Sequence, residues 1–380
     1  MTDFLVIGIG RMGGIHAKNL AAGRVRGARL KAVCDTDADV RAAFKAAHPD
    51  VEVYSDYREA AEKSGVNAAI IATPHYSHTE IAEYCITRGI NVLSEKPQTV
   101  TVGEARRMNE VAEKHSDVLY AIMYNQRTNR MYAYAKKLMD KGALGELRRV
   151  TLIVTDWYRS QFYYDMGGWR ASWNGEGGGL LINQCVHQLD VLQWLVGLPE
   201  SLIAVAKTVN RNITVENDVA VIMKYPGGAT GEFVASGHEP RGTNRLEIAG
   251  DKGKIVIDKH KMLYIAYEKS EREINATVTK GYGSTRVKKT RVTYGAIRKL
   301  TDLVYGQQLR VVKRFADVLN GKAAEPTAYG REGVRALEFI NAVYLSAYSG
   351  KEVKFPVDAG EYDELFEKLK MEEKKHVRNL

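Results

Sequence analysis

A chain of 380 residues is long enough for two or three domains, each with a substantial core. With 45% hydrophobic and 27% charged residues, 34 Gly and only 8 Pro, it is neither collagen-like, low-complexity nor wholly disordered. The net charge of +9 comes without a helix-turn-helix, zinc-finger or RNA-binding signature, so nucleic acid is not an expected partner.

The first 124 residues alternate apolar strand-like runs with helical patterns, which argues for βαβ units and a parallel sheet. The expected strands are 4–9, 29–34, 68–72, 91–94 and 118–123, and the helices between them 12–22, 38–47, 79–87 and 102–114. After about Gly145 the pattern turns strand-rich, with candidates at 148–155, 202–209, 218–225, 229–235, 245–249 and 254–258. Turn signals such as Pro226-Gly227-Gly228 between them suit an antiparallel meander. Helical patterns return at 309–319, 332–348 and 361–375. The fold class expected is α/β: a Rossmann domain over 1–124 and an α/β domain with a large open sheet over 125–380.

Gly8-Ile9-Gly10-Arg11-Met12-Gly13 fits GxGxxG between an apolar strand and a helix, and Asp35 ends the next strand 22 residues beyond the last glycine. The glycines allow a tight turn, close approach of a pyrophosphate and close helix packing, while the helix N-terminus offers amide donors. Asp35 suits an adenosine ribose diol and repels a 2′-phosphate, so NAD is favoured over NADP, although Arg24, Arg26 and Arg41 are near in sequence.

Ser94-Glu95-Lys96-Pro97 follows the fourth strand, at the carboxyl end where open α/β sheets bind ligands. A lysine there either sits in solvent or hydrogen-bonds a substrate oxygen and stabilises charge as a carbonyl forms. Thr73-Pro74-His75-Tyr76-Ser77-His78 ends the preceding strand and would form the neighbouring wall. His75 and His78 lack a third ligand at suitable spacing, and no metal site is expected.

Residues 177–195 read as a buried helix, yet Asn183, His187 and Asp190 recur at i, i+4 and i+7 and share one face. Two readings stay open, a satisfied core histidine or an acid/base that takes a hydroxyl proton. Residues 157–170 are dense in aromatics with Arg159, Arg170, Gln161 and Asp165, which suits either the faces and hydroxyls of a sugar or cyclitol or a structural plug. Seven Lys or Arg between Lys280 and Lys299, with no Asp or Glu, form a solvated or subunit-contacting segment or else an anion-attracting rim.

Three scattered cysteines without a CxxC pair, no basic leader and no apolar run near 20 residues point to a reducing, cytoplasmic compartment without a membrane.

Taken together, GIGRMGGIH, the Asp35 strand end, ATPHYSH, SEKP, the NQR at 125–127 and GGGLLINQCVHQLD resemble the glucose-fructose oxidoreductase, inositol dehydrogenase and MocA family over nearly the whole chain. The resemblance implies a Rossmann domain followed by an α/β domain whose mostly antiparallel sheet forms dimers or tetramers. It also implies NAD(P)-dependent oxidation or reduction of a sugar or inositol hydroxyl, in a cleft between the domains. Carried over by position, Lys96 is the catalytic lysine and His187 the acid/base histidine. The cofactor contacts are Gly8, Gly10, Arg11, Met12, Gly13, Asp35, Thr73, Pro74, His78, Glu95 and Lys96, and the substrate contacts Asn125, Arg159, Tyr163, Trp169, Arg170, Asn183 and His187. Many relatives carry Asp where this chain has Asn183, which cannot take a proton and moves that duty to His187 or a tyrosine such as Tyr163. The alternatives to a dehydrogenase are a retained-NAD enzyme that modifies glycosides by transient oxidation, and a non-catalytic dinucleotide or sugar sensor.

Overall fold

The computed structural model describes residues 1–293 and 306–378, which form two compact units. The first holds Met1–Thr128, Gly175–Gly177 and residues 306–337; the second holds Asn129–Asn174, Gly178 to residue 293 and residues 338–378. The single boundary at 124/125 expected from the sequence therefore gives way to a chain that returns to its first unit.

In the first unit the strands are β1 (Thr2–Ile7), β2 (Ala28–Cys34), β3 (Glu52–Tyr54), β4 (Ala68–Ile71), β5 (Asn91–Ser94) and β6 (Tyr120–Ile122). The helices between them are α1 (Arg11–Ala21), α2 (Ala38–Ala47), α3 (Tyr57–Lys63), α4 (His78–Ile86) and α5 (Val102–Lys114). The six strands form one parallel sheet in the order β3-β2-β1-β4-β5-β6. The chain order reverses between β1 and β4, which places the loops after those strands at a ligand-binding crevice.

Both faces of this sheet are covered. Phe4 and Val6 point into one apolar cluster, Leu5 and Ile7 into the other, as the two-residue period of a strand requires. The first cluster is completed by Leu309, Val311, Val312 and Phe315, from an amphipathic helix (Gln307–Leu319) more than three hundred residues from Phe4 in sequence. The Phe315 ring centroid lies 6.2 Å from that of Phe4. This packing is why residues 306–337 belong to the first unit.

The second unit opens with α6 (Arg130–Asp140), β7 (Leu147–Val154), α7 (Gln161–Asp165) and α8 (Val186–Val196). There follow β8 (Ser201–Lys207), β9 (Asp218–Lys224), β10 (Thr230–Ser236), β11 (Asn244–Gly250), β12 (Gly253–Asp258), β13 (Lys261–Tyr267), α9 (Glu271–Thr277) and β14 (Val287–Thr293). Counting the Gln307–Leu319 helix of the first unit as α10, the chain ends with α11 (Gly333–Ser349), β15 (Val353–Lys354) and α12 (Ala359–Arg378). The described strands make a nine-stranded sheet, β14-β13-β12-β11-β7-β10-β9-β8-β15. It is antiparallel except for the β7–β10 pair. The expected mostly antiparallel sheet is present, with three more described strands, β13, β14 and β15, than the sequence showed.

Alternation along these strands is regular. Val219, Val221, Met223 and Phe233 are buried, with Phe233 edge-on to Phe339 of α11 at 6.0 Å, while Ile203, Val205, Ile222 and Val234 are exposed. The basic segment lies partly in β14, at the end of the sheet, whereas Arg298 and Lys299 lie outside the described residues. Among the described residues no helix is long and apolar enough to cross a membrane.

Candidate functional site

The glycine loop of the first unit is shaped by two positions where no side chain fits. Gly8 has φ +79°, and a Cβ there would sit 2.8 Å from the Ala72 carbonyl oxygen. A Cβ on Gly13 would come within 1.7 Å of the Gly8 carbonyl oxygen, so α1 can pack this tightly only through glycine. Gly10, in contrast, faces open space and is the N-cap of α1 without any side-chain cap. The first turn of the helix therefore presents uncapped amides to an exposed surface, where an anion is stabilised. Arg11 beside it is exposed and Met12 half-buried.

Asp35 does two things here. Its Oδ2 accepts the Ile9 N–H at 2.8 Å and its Oδ1 accepts the Asp37 N–H at 3.0 Å, while its carbonyl oxygen accepts from Arg41 Nη1 at 2.8 Å. Each carboxylate oxygen keeps a further lone pair for a ribose hydroxyl. The open helix N-terminus and the half-buried carboxylate fit the phosphates and the ribose of NAD.

Lys96 follows β5, and its N–H approaches Glu95 Oε2 at 3.4 Å. Burial lowers the Lys96 pKa from the ordinary 10.5, and the carboxylates of Glu95 and Glu176 oppose that shift. Glu95 is held by His16 of α1, whose Nε2 lies 2.9 Å from Glu95 Oε1, so a buried carboxylate is pinned beside the lysine. Sequence reasoning did not single out Glu176. It belongs to the three residues 175–177 that join the first unit, and its carbonyl oxygen lies 2.9 Å from His75 Nδ1. Its position was illegible because it is eighty residues from Lys96 and flanked only by glycines.

His78, expected as a cofactor contact, has both ring nitrogens engaged within the protein. Its Nδ1 lies 2.8 Å from the Pro97 carbonyl oxygen and its Nε2 2.8 Å from that of Thr73, so the buried ring joins the loops after β4 and β5. Burial lowers its pKa, against the pull of those two carbonyls. Thr73 is half-buried, its hydroxyl accepting from Ser77 Oγ at 2.8 Å, and Pro74 is exposed. Asn125, just after β6, is buried with no hydrogen-bond partner for its amide oxygen. Two residues on, Arg127 pairs with Glu332 at 2.6 Å, which accounts for it structurally.

In the second unit the expected helix is present with a local change of geometry: Leu181–Cys185 is π-helical and α8 continues from Val186. Such an insertion in a helix is a frequent mark of functional sites. From 176 to 193 every residue is buried except Asn183 and His187. Two polar side chains thus emerge together from an otherwise sealed helix, while Asp190 on the expected stripe is buried. The start of the helix is fixed by Glu216, which accepts the N–H groups of Gly179 (3.0 Å) and Leu181 (2.8 Å) and the Tyr344 hydroxyl (3.0 Å). Burial raises the Glu216 pKa from 4.5 to about 7.

The aromatic segment lies against this helix. The Gln184 amide donates to the Tyr163 hydroxyl at 3.2 Å, and the guanidinium carbons of Arg159 and Arg170 lie 4.7 and 5.7 Å from the Tyr163 ring centroid. Arg159 also covers Trp157, and Arg170 covers Trp169 at 4.9 Å. Tyr158, Phe162 and Met166 are exposed, so the segment is not a buried plug.

Residues 2–123 match the model of an oxidoreductase family with an NAD-binding Rossmann fold, and residues 132–256 match the GFO/IDH/MocA C-terminal domain. The chain belongs to the GFO/IDH/MocA oxidoreductase family. It is an enzyme of the NAD-binding oxidoreductase class. A myo-inositol 2-dehydrogenase of Thermotoga maritima is 26% identical over 92% of this chain and 97% of its own length. An NAD(+)-dependent scyllo-inositol 2-dehydrogenase of Bacillus subtilis is 29% identical over 66% of this chain and 72% of its own. Among solved structures, the WlbA dehydrogenase of Bordetella pertussis in complex with NADH and UDP-GlcNAcA is 26% identical with a TM-score of 0.77, covering 94% of this chain and 98% of the other.

Proposed function

We propose that this GFO/IDH/MocA member oxidises a secondary hydroxyl of a sugar, glycoside or cyclitol, and that Lys96 and His187 are its catalytic residues. The observation that carries the reading is Lys96 at the end of β5, with a lowered pKa and two carboxylates around it. When bound, the nicotinamide supplies the acceptor of the hydride.

Lys96 donates a hydrogen bond to the substrate oxygen and stabilises the charge that develops on it. His187, half-exposed on its helix, takes the hydroxyl proton. Asn183 orients a neighbouring hydroxyl and carries no proton. Asp35 holds the adenosine ribose and selects NAD over NADP. Gly8, Gly10, Arg11, Met12, Gly13, Thr73, Pro74 and Glu95 surround the dinucleotide, and Asn125, Tyr163, Trp169, Arg159 and Arg170 the substrate. His78 is a positioning residue, fixing the loops of Thr73 and Lys96 relative to each other.

The test is Lys96→Met, which should lower turnover at least ~100-fold while NAD still binds. The names of the inositol dehydrogenases among its relatives support the substrate class.

We also assign the exposed apolar face of Ile203, Val205, Ile222 and Val234 to contact with further copies of the chain, as dimer or tetramer. Sedimentation velocity tests this: the parent should run as a dimer or tetramer and Ile222→Lys should shift it toward the monomer, and a monomeric parent would contradict the assignment. Three free, buried cysteines suit a reducing, cytoplasmic setting.

A further inference from the structure

Residues 157–170 gather positive charge that the chain does not neutralise. The guanidiniums of Arg159 and Arg170 both lie within 6 Å of one ring centroid, that of Tyr163. A third, Arg211, lies 5.4 Å from the Tyr158 ring centroid and donates from Nε to the Arg159 carbonyl oxygen at 2.7 Å. Among the described residues none of the three has a carboxylate within 4.0 Å.

The nearby acids are engaged elsewhere. Asp165 accepts from Gln161, Asp156 from Asn244, and Glu216 is turned to Gly179, Leu181 and Tyr344. Two donors of the same cluster, Arg159 Nε and Trp157 Nε1, are buried without an acceptor. One cation on an aromatic face is ordinary packing. Two on the same ring repel each other, and unpaired donors beside them are costly, unless an anion completes the arrangement.

We propose that the substrate carries an oxyanion, a carboxylate or a phosphate, which Arg159 and Arg170 hold beside Tyr163. The proposal rests on the dehydrogenase reading of the Asn183 and His187 helix, to which Tyr163 is tied through Gln184. A guanidinium presents a planar fork of N–H donors that matches either oxyanion. Hydroxyl groups of a neutral sugar satisfy donors but leave the two charges uncompensated.

The experiment titrates NADH-loaded protein with D-glucose, D-galactose and D-mannose, the corresponding uronates and the corresponding sugar phosphates, by calorimetry at low and high salt. At least one anion should bind about ten-fold or more tightly than its neutral parent, a difference that shrinks as salt rises. Whether uronate or phosphate shows it identifies the oxyanion. Arg159→Gln and Arg170→Gln should each remove the preference with NADH affinity unchanged, and Arg170→Lys should retain part of it. Equal binding of anions and parents, binding of none, or a preference that survives both glutamine variants overturns the proposal. In a separate assay with NAD in place of NADH, a bound anion that gives no nicotinamide reduction overturns the dehydrogenase reading instead, and reduction of NAD by neutral sugars without anion preference leaves that reading standing while removing the arginine site.

Discussion

The Asp35 carboxylate accepts the backbone N–H of Ile9 at 2.8 Å, so the residue proposed to read the cofactor's ribose also fastens the glycine loop that carries its phosphates. Loss of the side chain removes two functions at once. Asp35→Ala is expected to weaken NAD binding roughly ten- to hundred-fold, the span of a hydrogen bond to a charged group, and to lower the ratio of NAD to NADP efficiency. Steady-state kinetics with both cofactors decide this, and an unchanged ratio contradicts the assignment.

Gly13 and Gly10 separate folding from binding. Gly13→Ala forces a methyl group onto the Gly8 carbonyl and should cost about 1–3 kcal/mol of stability as an overpacked contact. Gly10→Ala meets no protein atom within 4 Å, so its melting temperature should match the parent while NAD binding weakens. Differential scanning calorimetry beside NAD titration tests the contrast, which fails if Gly10→Ala melts early or binds normally.

The pH profile follows from Lys96. Burial lowers its pKa below 10.5, and the protonated ammonium is the form proposed to donate to substrate, so activity should fall with rising pH on a limb below the ordinary lysine range. Lys96→Arg stays charged throughout and should lose that limb, whatever its absolute rate. A limb that persists in this variant belongs to another group.

Glu216 makes a stability prediction with a definite sign. Its carboxyl holds its proton more tightly folded than unfolded, so the associated stability is complete below the unfolded value of 4.5 and fades as pH rises through about 7. Urea unfolding over that window should show the parent losing stability relative to Glu216→Gln. A constant difference between the two proteins contradicts the shift.

The parts of this fold that could be read from sequence are those where local pattern and tertiary role agree. β5 and α5 match their expected bounds because an apolar run and a threonine-capped amphipathic stretch leave one solution each. β3 escaped because it has three residues, and β14 because VKKTRVT at a sheet end looks like a solvated charged segment. The parallel pairing of β7 with β10 and the return of α10 to Phe4 depend on contacts between distant residues. At the site, Lys96, His187 and the glycine loop stood out by motif. The π-helical turn at Leu181–Cys185 did not, since an apolar stripe does not distinguish it from an α-helix, and neither did Glu176, which only the tertiary fold brings to Lys96.

The most direct test of the central claim follows reduced nicotinamide by absorbance as protein and NAD meet inositols, neutral sugars, sugar acids and glycosides. Reduction is expected with one stereochemical group, and its loss in both Lys96→Met and His187→Ala although each still binds NAD. Bound NAD with no reduction across the panel, or full activity in either variant, would contradict it.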